Sequence, residues 1–438
     1  MTQQTTIERD LKLGVWPGFE MPDLRGTVDG AAASAPEVSR LEAVYFDTAE
    51  LRLLRRGVTV RFRRGEEPGE VWTAKLPDEA PALGHARREI TVPGRSSSMP
   101  TLMEDLVRGW ALGAPLVPVA RLRTLRQRTM LHRADGEPVA VVDDDEVSIV
   151  QRSRVAARFR ELEIELVNGG SPRLLTRLSR RLQSAGAQPV DQIPKLVRAL
   201  GPSALARWDL APPRLASRPT TAELITAGLV SSAACLVDHI AAVVLDEDPE
   251  GIHQTRVGIR RLRSDLRTAR PILDRGVVEP LRLELDWLMG QLGEVRDLDV
   301  LLARLRSDVE SLGSDRAAGD AVLAQAIEDR GAAYERVRSD LRSARCAALL
   351  HEAARIASAP PFTARAARRP AAQTLPRLVA QPLRELRREA RKAGRAPDDE
   401  ALHRLRIRVK RVRYAAELAA PATGKEARRA ARTLATVQ

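Results

Sequence analysis

The chain has 438 residues, enough for two to four domains whose cores need no disulfide support. With 71 Lys and Arg against 58 Asp and Glu its formal net charge is +13, which points to polyanionic partners, and a 44% hydrophobic content excludes a disordered chain. Two distant cysteines, Cys235 and Cys346, with no CxxC pair, exclude a disulfide framework or a zinc knuckle; no stretch approaches 18 uninterrupted apolar residues, so a cytoplasmic protein with no membrane span is expected.

Residues 1 to 200 carry 30 basic and 27 acidic side chains, whereas residues 201 to 438 carry 41 and 31, so the positive excess lies in the second half. In the first half, VYFDT, GVTVRFRR, VWTAKLP, REITVP, PVAVVDD and RFRELEIELV are short, β-branched or aromatic, and bounded by Gly, Pro and Asp. They predict a β-rich domain over 1–205. A Pro- and Ala-rich stretch without sustained period, 206–219, reads as a linker. From 220 to 438 apolar residues recur three and four apart among Ala, Arg and Glu, which predicts an all-α domain. Segment 253–263, HQTRVGIRRLR, aligns with 403–413, HRLRIRVKRVR, at a shift of 150 residues, and a break rich in Pro and Arg at 358–376 separates the copies. The repeat predicts a pair of helical bundles. The counterpart of residues 287–299 would fall beyond Gln438, so the second copy is expected to be truncated, with apolar surface near Leu434 exposed.

Three segments of the first half place charges at a spacing of two, hence on one face of a strand: Glu8, Asp10 and Lys12; Arg61 and Arg63; and Glu161, Glu163 and Glu165, with Leu162, Ile164 and Leu166 opposite. One wet face of an antiparallel sheet explains any single such strand. Three of them, sorted into mixed, basic and acidic sets, fit a closed barrel with a charged lumen, where carboxylates hold a divalent cation and Arg and Lys hold phosphate oxygens.

These residues carry a resemblance. Glu8-x-Asp10-x-Lys12 is similar to the ExExK signature of the CYTH domain, the triphosphate tunnel metalloenzymes. YFDTAELRLLRRGVTVRFRR, VWTAKLP, ARREI, the strand of Arg126 and Arg128, the triple-Glu strand and Lys195 follow in family order, over about residues 5 to 200. The resemblance implies an α+β multidomain protein whose first domain is an eight-stranded antiparallel β tunnel barrel binding triphosphate compounds with Mg2+ or Mn2+. Relatives hydrolyse tripolyphosphate, thiamine triphosphate or nucleoside triphosphates, and some cyclise ATP. By position, Glu8, Asp10, Glu161, Glu163 and Glu165 would hold the metals, with Asp144 of the acidic run 143–146 as a further metal-side acid unless that run is merely an acidic turn. Glu8, Asp10, Lys12 and Glu161 make up the implied catalytic set. Lys12, Arg61, Arg63, Lys75, Arg126, Arg128 and Lys195 would clamp phosphates, as in-line phosphoryl transfer requires. Only six of the 71 basic residues are Lys, and three of them fall on these positions. Asp10 is one methylene shorter than the family's Glu, and Pro194 stands where relatives often carry a small polar residue.

On a helix, His253, Arg256, Arg260, Arg263 and Arg267 fall within about 80 degrees of one another, beside Ile252, Ile259, Leu262 and Leu266. His403, Arg406, Lys410 and Arg413 do the same beside Leu402, Leu405, Val409 and Val412. One basic face is usually just solvated; its duplication fits two halves of a cationic groove for a long anion. HQTRVGIRRLR, LGEVRDLDVL and LHRLRIRVKRVRYAAEL closely resemble the CHAD domain, over about residues 220 to 438. The resemblance implies paired four-helix bundles that bind inorganic polyphosphate through basic residues, here the His, Arg and Lys positions just named, and association with polyphosphate granules in bacteria. Asp297 and Asp299 are expected to pair with and orient arginines of the basic helices.

The sequence therefore leads to a metal-dependent triphosphatase fused to a polyphosphate-binding module, with a non-catalytic, granule-associated polyphosphate scaffold as the alternative. Nucleic acid is the weakest partner class, since three Tyr, five Phe and five Trp give few stacking platforms.

Overall fold

The structure, a computed structural model, describes all residues except 1–3, 9, 28–31, 66–68, 78–86, 168–169, 191–193, 313–315, 395, 424 and 437–438, and the backbone alone at 4–8, 87 and 425–426. The chain divides into two compact units, Met1–Val107 with Ala114–Trp208, and Asp209–Gln438 with Arg108–Gly113.

The first unit is built on an antiparallel sheet of β1 (Gln4–Glu8), β2 (Asp10–Gly14), β3 (Ala32–Ala33), β4 (Glu37–Asp47), β5 (Thr59–Arg64), β6 (Val71–Pro77), β7 (Arg87–Pro93), β8 (Val117–His132), β9 (Pro138–Gln151), β10 (Arg154–Leu166) and β11 (Gln188–Pro189). Their order is β1-β7-β6-β5-β4-β8-β9-β10-β2-β11, with β3 on β8. β1 and β2 are separated in the chain by Arg9 alone, yet β1 pairs with β7 and β2 with β10. Among the helices of this stretch are α1 (Arg52–Arg55), α2 (Thr101–Ala111), α3 (Pro172–Ser184) and α4 (Lys195–Leu200).

Strand alternation sorts the sheet into two faces. On one, Leu13, Leu131, Val142, Leu162 and Ile164 are buried against Leu174, Leu178 and Leu182 of α3. Each such side chain contributes roughly 1.5–3 kcal/mol of apolar burial. The helix starts there because Ser171 caps it, accepting a hydrogen bond from Arg173 N at 3.2 Å, with Pro172 at its first position. Further along the sheet Trp72 packs on Phe46 and Phe62, with ring centroids 5.0 and 5.6 Å apart. The second face divides in two: Ala43, Tyr45, Leu122, Val147 and Ile149 form an apolar patch with Leu196 and Val197 of α4, and the rest carries charge.

The second unit is helical: α5 (Thr221–Asp238), α6 (Ile240–Leu245), α7 (Glu250–Ala269), α8 (Arg275–Glu310), α9 (Arg316–Arg342), α10 (Ala344–Ser358), α11 (Ala371–Ala393), α12 (Asp399–Thr423) and α13 (Lys425–Thr436). A capping box starts α5: Glu223 N donates to Thr220 Oγ1, and the Glu223 carboxylate accepts from Thr220 N. The stretch Thr221–Leu245 is long and apolar enough to cross a membrane by length and composition, although polar residues interrupt it. Half of it is buried, and α5 packs on α7, α10, α11 and α12, so its hydropathy is that of a core helix. α5 crosses α7 closely at Gly258, where a Cβ would meet Leu236 N at 2.5 Å. Ile252, Ile259, Leu262 and Leu266 of α7 are all buried. In the second copy Val409 and Val412 are buried, but Leu402 is 49% exposed, because the stripe leaves the packed surface in the first turn of α12.

Candidate functional site

The register of the sheet brings the charges of seven strands onto its second face. Glu161, Glu163 and Glu165 of β10 lie opposite Gly14, Lys12 and Asp10 of β2; on the other side, Glu161 and Glu163 face Asp145 and Asp143 of β9, which face Arg126 and Arg128 of β8. Across the sheet Arg61 of β5 stands opposite Tyr45 and Thr73, and Lys75 of β6 opposite Glu89 of β7.

The side chains form a dense network. Arg126 is bidentate to Asp145, at 2.8 Å for both bonds, and lies 2.7 Å from Asp143, while Arg128 grips Asp143 at 2.8 and 2.9 Å. Lys12 donates to Glu163 and stands 3.5 Å from Asp10. Lys195 donates to Asp145 at 2.6 Å and Glu163 at 2.8 Å and lies 3.4 Å from Glu161. Pro194 stands at the cap of α4, so that Lys195 is the first helical residue and reaches into the acids. Lys75 pairs with Glu89 at 3.0 Å.

Glu161 is fully buried, and neither of its oxygens accepts a hydrogen bond from the described residues; Lys195 and Arg198, the latter at 3.1 Å, offer charge only. Burial pushes its carboxyl above the ordinary range against the pull of Lys195. Burial would raise Glu163 too, but Lys12, Lys195 and Arg126 outweigh it and hold that carboxyl well below the ordinary range. Lys12 and Lys195 are held above the usual ammonium value, since Glu163 and its neighbours outweigh their desolvation. Burial would likewise raise the Tyr45 hydroxyl, but Arg61 beside it brings it below the ordinary phenol range.

Strand parity corrects one expectation. Asp144 lies on the opposite face from Asp143 and Asp145, buried, with both carboxylate oxygens bound to Arg160 at 2.8 and 2.7 Å. The acids that share the charged face are Asp143 and Asp145, which the register sets opposite Arg128 and Arg126; the acidic run alone did not tell which alternate set faces that way. Arg198, Tyr45 and Glu89 are further members that the motifs did not mark. Asp10, Lys12, Glu163 and Glu165 come together as expected; Arg61, Arg63 and Lys75 lie on the neighbouring strands of the same face. Glu8 pairs through its backbone with Arg87, and its side chain lies outside the described residues.

A divalent cation of the Mg2+ or Mn2+ type takes oxygen donors, and this face offers carboxylates together with the hydroxyls of Tyr45 and Thr73. Among the described residues no three acids already converge on one point, because Lys12, Lys195 and Arg126 sit on them. The unsatisfied oxygens of Glu161 fit a cation that is recruited together with an anion able to draw the ammonium groups away.

In the helical unit the two repeated segments are brought together. Lys410 of α12 is lowered from its ordinary value by desolvation and by Arg406, Arg260 and Arg413, so the basic faces of α7 and α12 repel each other directly. Arg267 is pushed down to about 10 by burial and by Arg411, Arg282 and Arg263. Arg256, Arg260, Arg267, Arg406 and Lys410 have no ion-pair partner among the described residues, whereas Arg263 pairs with Asp286 and Arg413 with Glu417 at 3.4 Å. Arg256 donates to Met289 O at 3.1 Å and lies over Gly293, whose Cβ would stand 2.7 Å from its guanidinium; the Gly of LGEVRDLD makes that space. His253 is lowered by desolvation and by Arg296, Arg260 and Arg256, while His403 is exposed. Asp299 pairs at 3.0 Å with Arg330 of α9, not with a basic helix, and Arg330 also grips Asp246 at 2.5 Å. Tyr334 beside it donates to Val243 O and Val244 O, tying the end of α6 to α9.

The CYTH domain family model matches residues 8–195, and the CHAD domain family model matches residues 229–438. Uncharacterized proteins from two strains of Mycobacterium tuberculosis are each 28% identical over 439 residues, covering 94% of this chain and 82% of theirs. Among solved structures, PptA from Streptomyces chartreusis is 22% identical, covering 50% of this chain and 81% of that one, with a TM-score of 0.41. The CHAD domain from the plant Ricinus communis is 25% identical, covering 52% and 76%, with a TM-score of 0.41.

Proposed function

Because the chain is a fusion of a CYTH domain with a CHAD domain, we propose that it is a metal-dependent triphosphatase whose helical unit binds inorganic polyphosphate. The observation that carries the enzymatic reading is the fully buried Glu161, without a hydrogen bond to either oxygen, beside Lys195, Glu163 and Lys12. The pairing of β1 with β7 and of β2 with β10 supports an eight-stranded barrel around a charged lumen, with β1 and β2 counted as one strand. Glu8, Asp10, Glu161, Glu163 and Glu165 would hold Mg2+ or Mn2+. When bound, the cation supplies Lewis-acid neutralisation of the phosphoryl oxygens. Lys12, Arg61, Arg63, Lys75, Arg126, Arg128 and Lys195 bind and orient the triphosphate. Lys12 and Lys195 exchange their carboxylates for phosphate oxygens as substrate enters, which keeps buried charge compensated throughout.

Polyphosphate binding rests on Arg260 and Lys410, which have no ion-pair partner among the described residues and repel across two helices. An extended polyanion relieves that repulsion at many points, and each Arg fork matches phosphate oxygens. The reading places the protein in the cytoplasm at polyphosphate granules. The second reading, a scaffold without turnover, is favoured by the acids of the lumen being already paired to Lys12, Lys195 and Arg126. Phosphate release from tripolyphosphate in Mg2+ or Mn2+ separates the two: turnover lost in Glu161→Gln supports the enzyme, and binding without release supports the scaffold.

A further inference from the structure

On the flank of α7 away from Arg260, Asp265 is 6% exposed. Its Oδ2 accepts a hydrogen bond from Ser232 Oγ of α5 at 2.7 Å, and its Oδ1 accepts none from the described residues. Among the described residues no basic group makes an ion pair with it. The nearest charges are Arg261 of the same helix, which lies 3.8 Å from Glu417, and Glu417 itself on α12. Asp265 lines a cavity of about 370 Å³ inside the helical unit, between α5, α7, α12 and the proline-bearing segment 212–215. The walls include Leu215, Leu224, Leu418 and Pro421, and Arg261, Tyr414 and Glu417 add polar groups.

A buried carboxylate with no ion-pair partner is costly unless a proton or a positive charge joins it, and Arg261 in the same wall is drawn toward Glu417. The cavity has the volume of a small-molecule site, with apolar walls and a few convergent polar atoms. Too few oxygens converge for a divalent metal, which takes six or more. An ammonium group, with three donors, suits Asp265 Oδ1, since Glu417 is already held by Arg261 and Arg413. We propose that this cavity binds a small organic ammonium ion, whose charged end pairs with Asp265 and whose hydrocarbon body lies against Leu215, Leu224 and Leu418.

The ligand competes with a proton, since burial raises the Asp265 carboxyl to about 7, against the hydrogen bond from Ser232 and the charge of Arg261, with Glu417 raising it further. The ionised fraction of Asp265 rises about tenfold between pH 6 and pH 8, and affinity for an amine that stays charged rises with it.

The test is calorimetric titration of the full chain with hexylammonium, hexanol and hexanoate. Hexylammonium is expected to bind most tightly, to tighten about tenfold from pH 6 to pH 8, and to weaken at least tenfold in Asp265→Asn. Equal binding of hexanol and hexylammonium, a flat pH profile, or no binding of the amine overturns the proposal. Should Asp265→Asn fail to fold by circular dichroism, the amine-to-alcohol ratio and the pH profile of the unaltered chain decide alone.

Discussion

Lys195 donates to Glu163 at 2.8 Å from the first residue of a helix that begins 32 positions further along the chain. A single ammonium thereby joins α4 to the acids of β9 and β10. On the proposed function its replacement removes a phosphate ligand, and it leaves Asp145, Glu161 and Glu163 less compensated. Lys195→Ala should lower kcat/KM for tripolyphosphate by about 100-fold or more, as loss of a preorganised electrostatic donor does. Steady-state phosphate release checks this, with circular dichroism confirming the fold.

The parity of β9 makes a sharper prediction. Asp145→Asn should abolish most turnover, because Asp145 holds both Arg126 and Lys195. Asp144→Asn should leave kcat unchanged and cost about 1–3 kcal/mol of stability, because it weakens only the buried pair with Arg160. Paired kinetic and urea-denaturation measurements separate the two effects.

For the cationic face, Arg260→Ala with Lys410→Ala should weaken retention of long-chain polyphosphate and reduce the slope of log affinity against log salt by about 2, one for each lost phosphate contact. Tripolyphosphate hydrolysis should not change. Binding isotherms at several salt concentrations read both quantities, and an unchanged slope would place the polymer elsewhere.

Asp265 predicts a pH dependence of stability. Its carboxyl rises from 3.8 to about 7 on folding, so the native state holds the proton more tightly. That contribution is fully present below pH 4 and is lost as pH rises through 7, amounting to roughly 4 kcal/mol. Asp265→Asn removes the titration. Its melting temperature relative to the unaltered chain should therefore climb between pH 4 and pH 8 in the absence of amine.

Two glycines test helix packing in opposite directions. Gly258→Ala pushes a Cβ against the backbone of α5 and should destabilise by about 1–3 kcal/mol. At Gly290 of α8 a Cβ meets nothing within 4 Å, so Gly290→Ala should stabilise by about 0.5–1 kcal/mol. Thermal melts of the two variants suffice.

The antiparallel sheet and the helical half were legible because period-two and period-3.6 patterns are local. Lys12, Glu163 and Glu165 were legible for the same reason, since one strand's alternation places its own side chains. Asp143, Asp145 and Glu89 were not, because an acidic run shows which residues alternate but not which alternate set faces Arg126 or Lys75; only the register with β8 and β6 decides that. Asp299 was expected to serve a basic helix, but its partner Arg330 lies on a helix whose sequence carries no matching signature. Leu402 fits the apolar stripe by spacing and lies outside it by packing.

The most direct measurement is phosphate release from tripolyphosphate by the full chain in Mg2+ and in Mn2+, alongside Glu161→Gln. The account predicts metal-dependent release that the substitution reduces by at least 100-fold. No release from any triphosphate in either metal, or release that Glu161→Gln leaves intact, would contradict it.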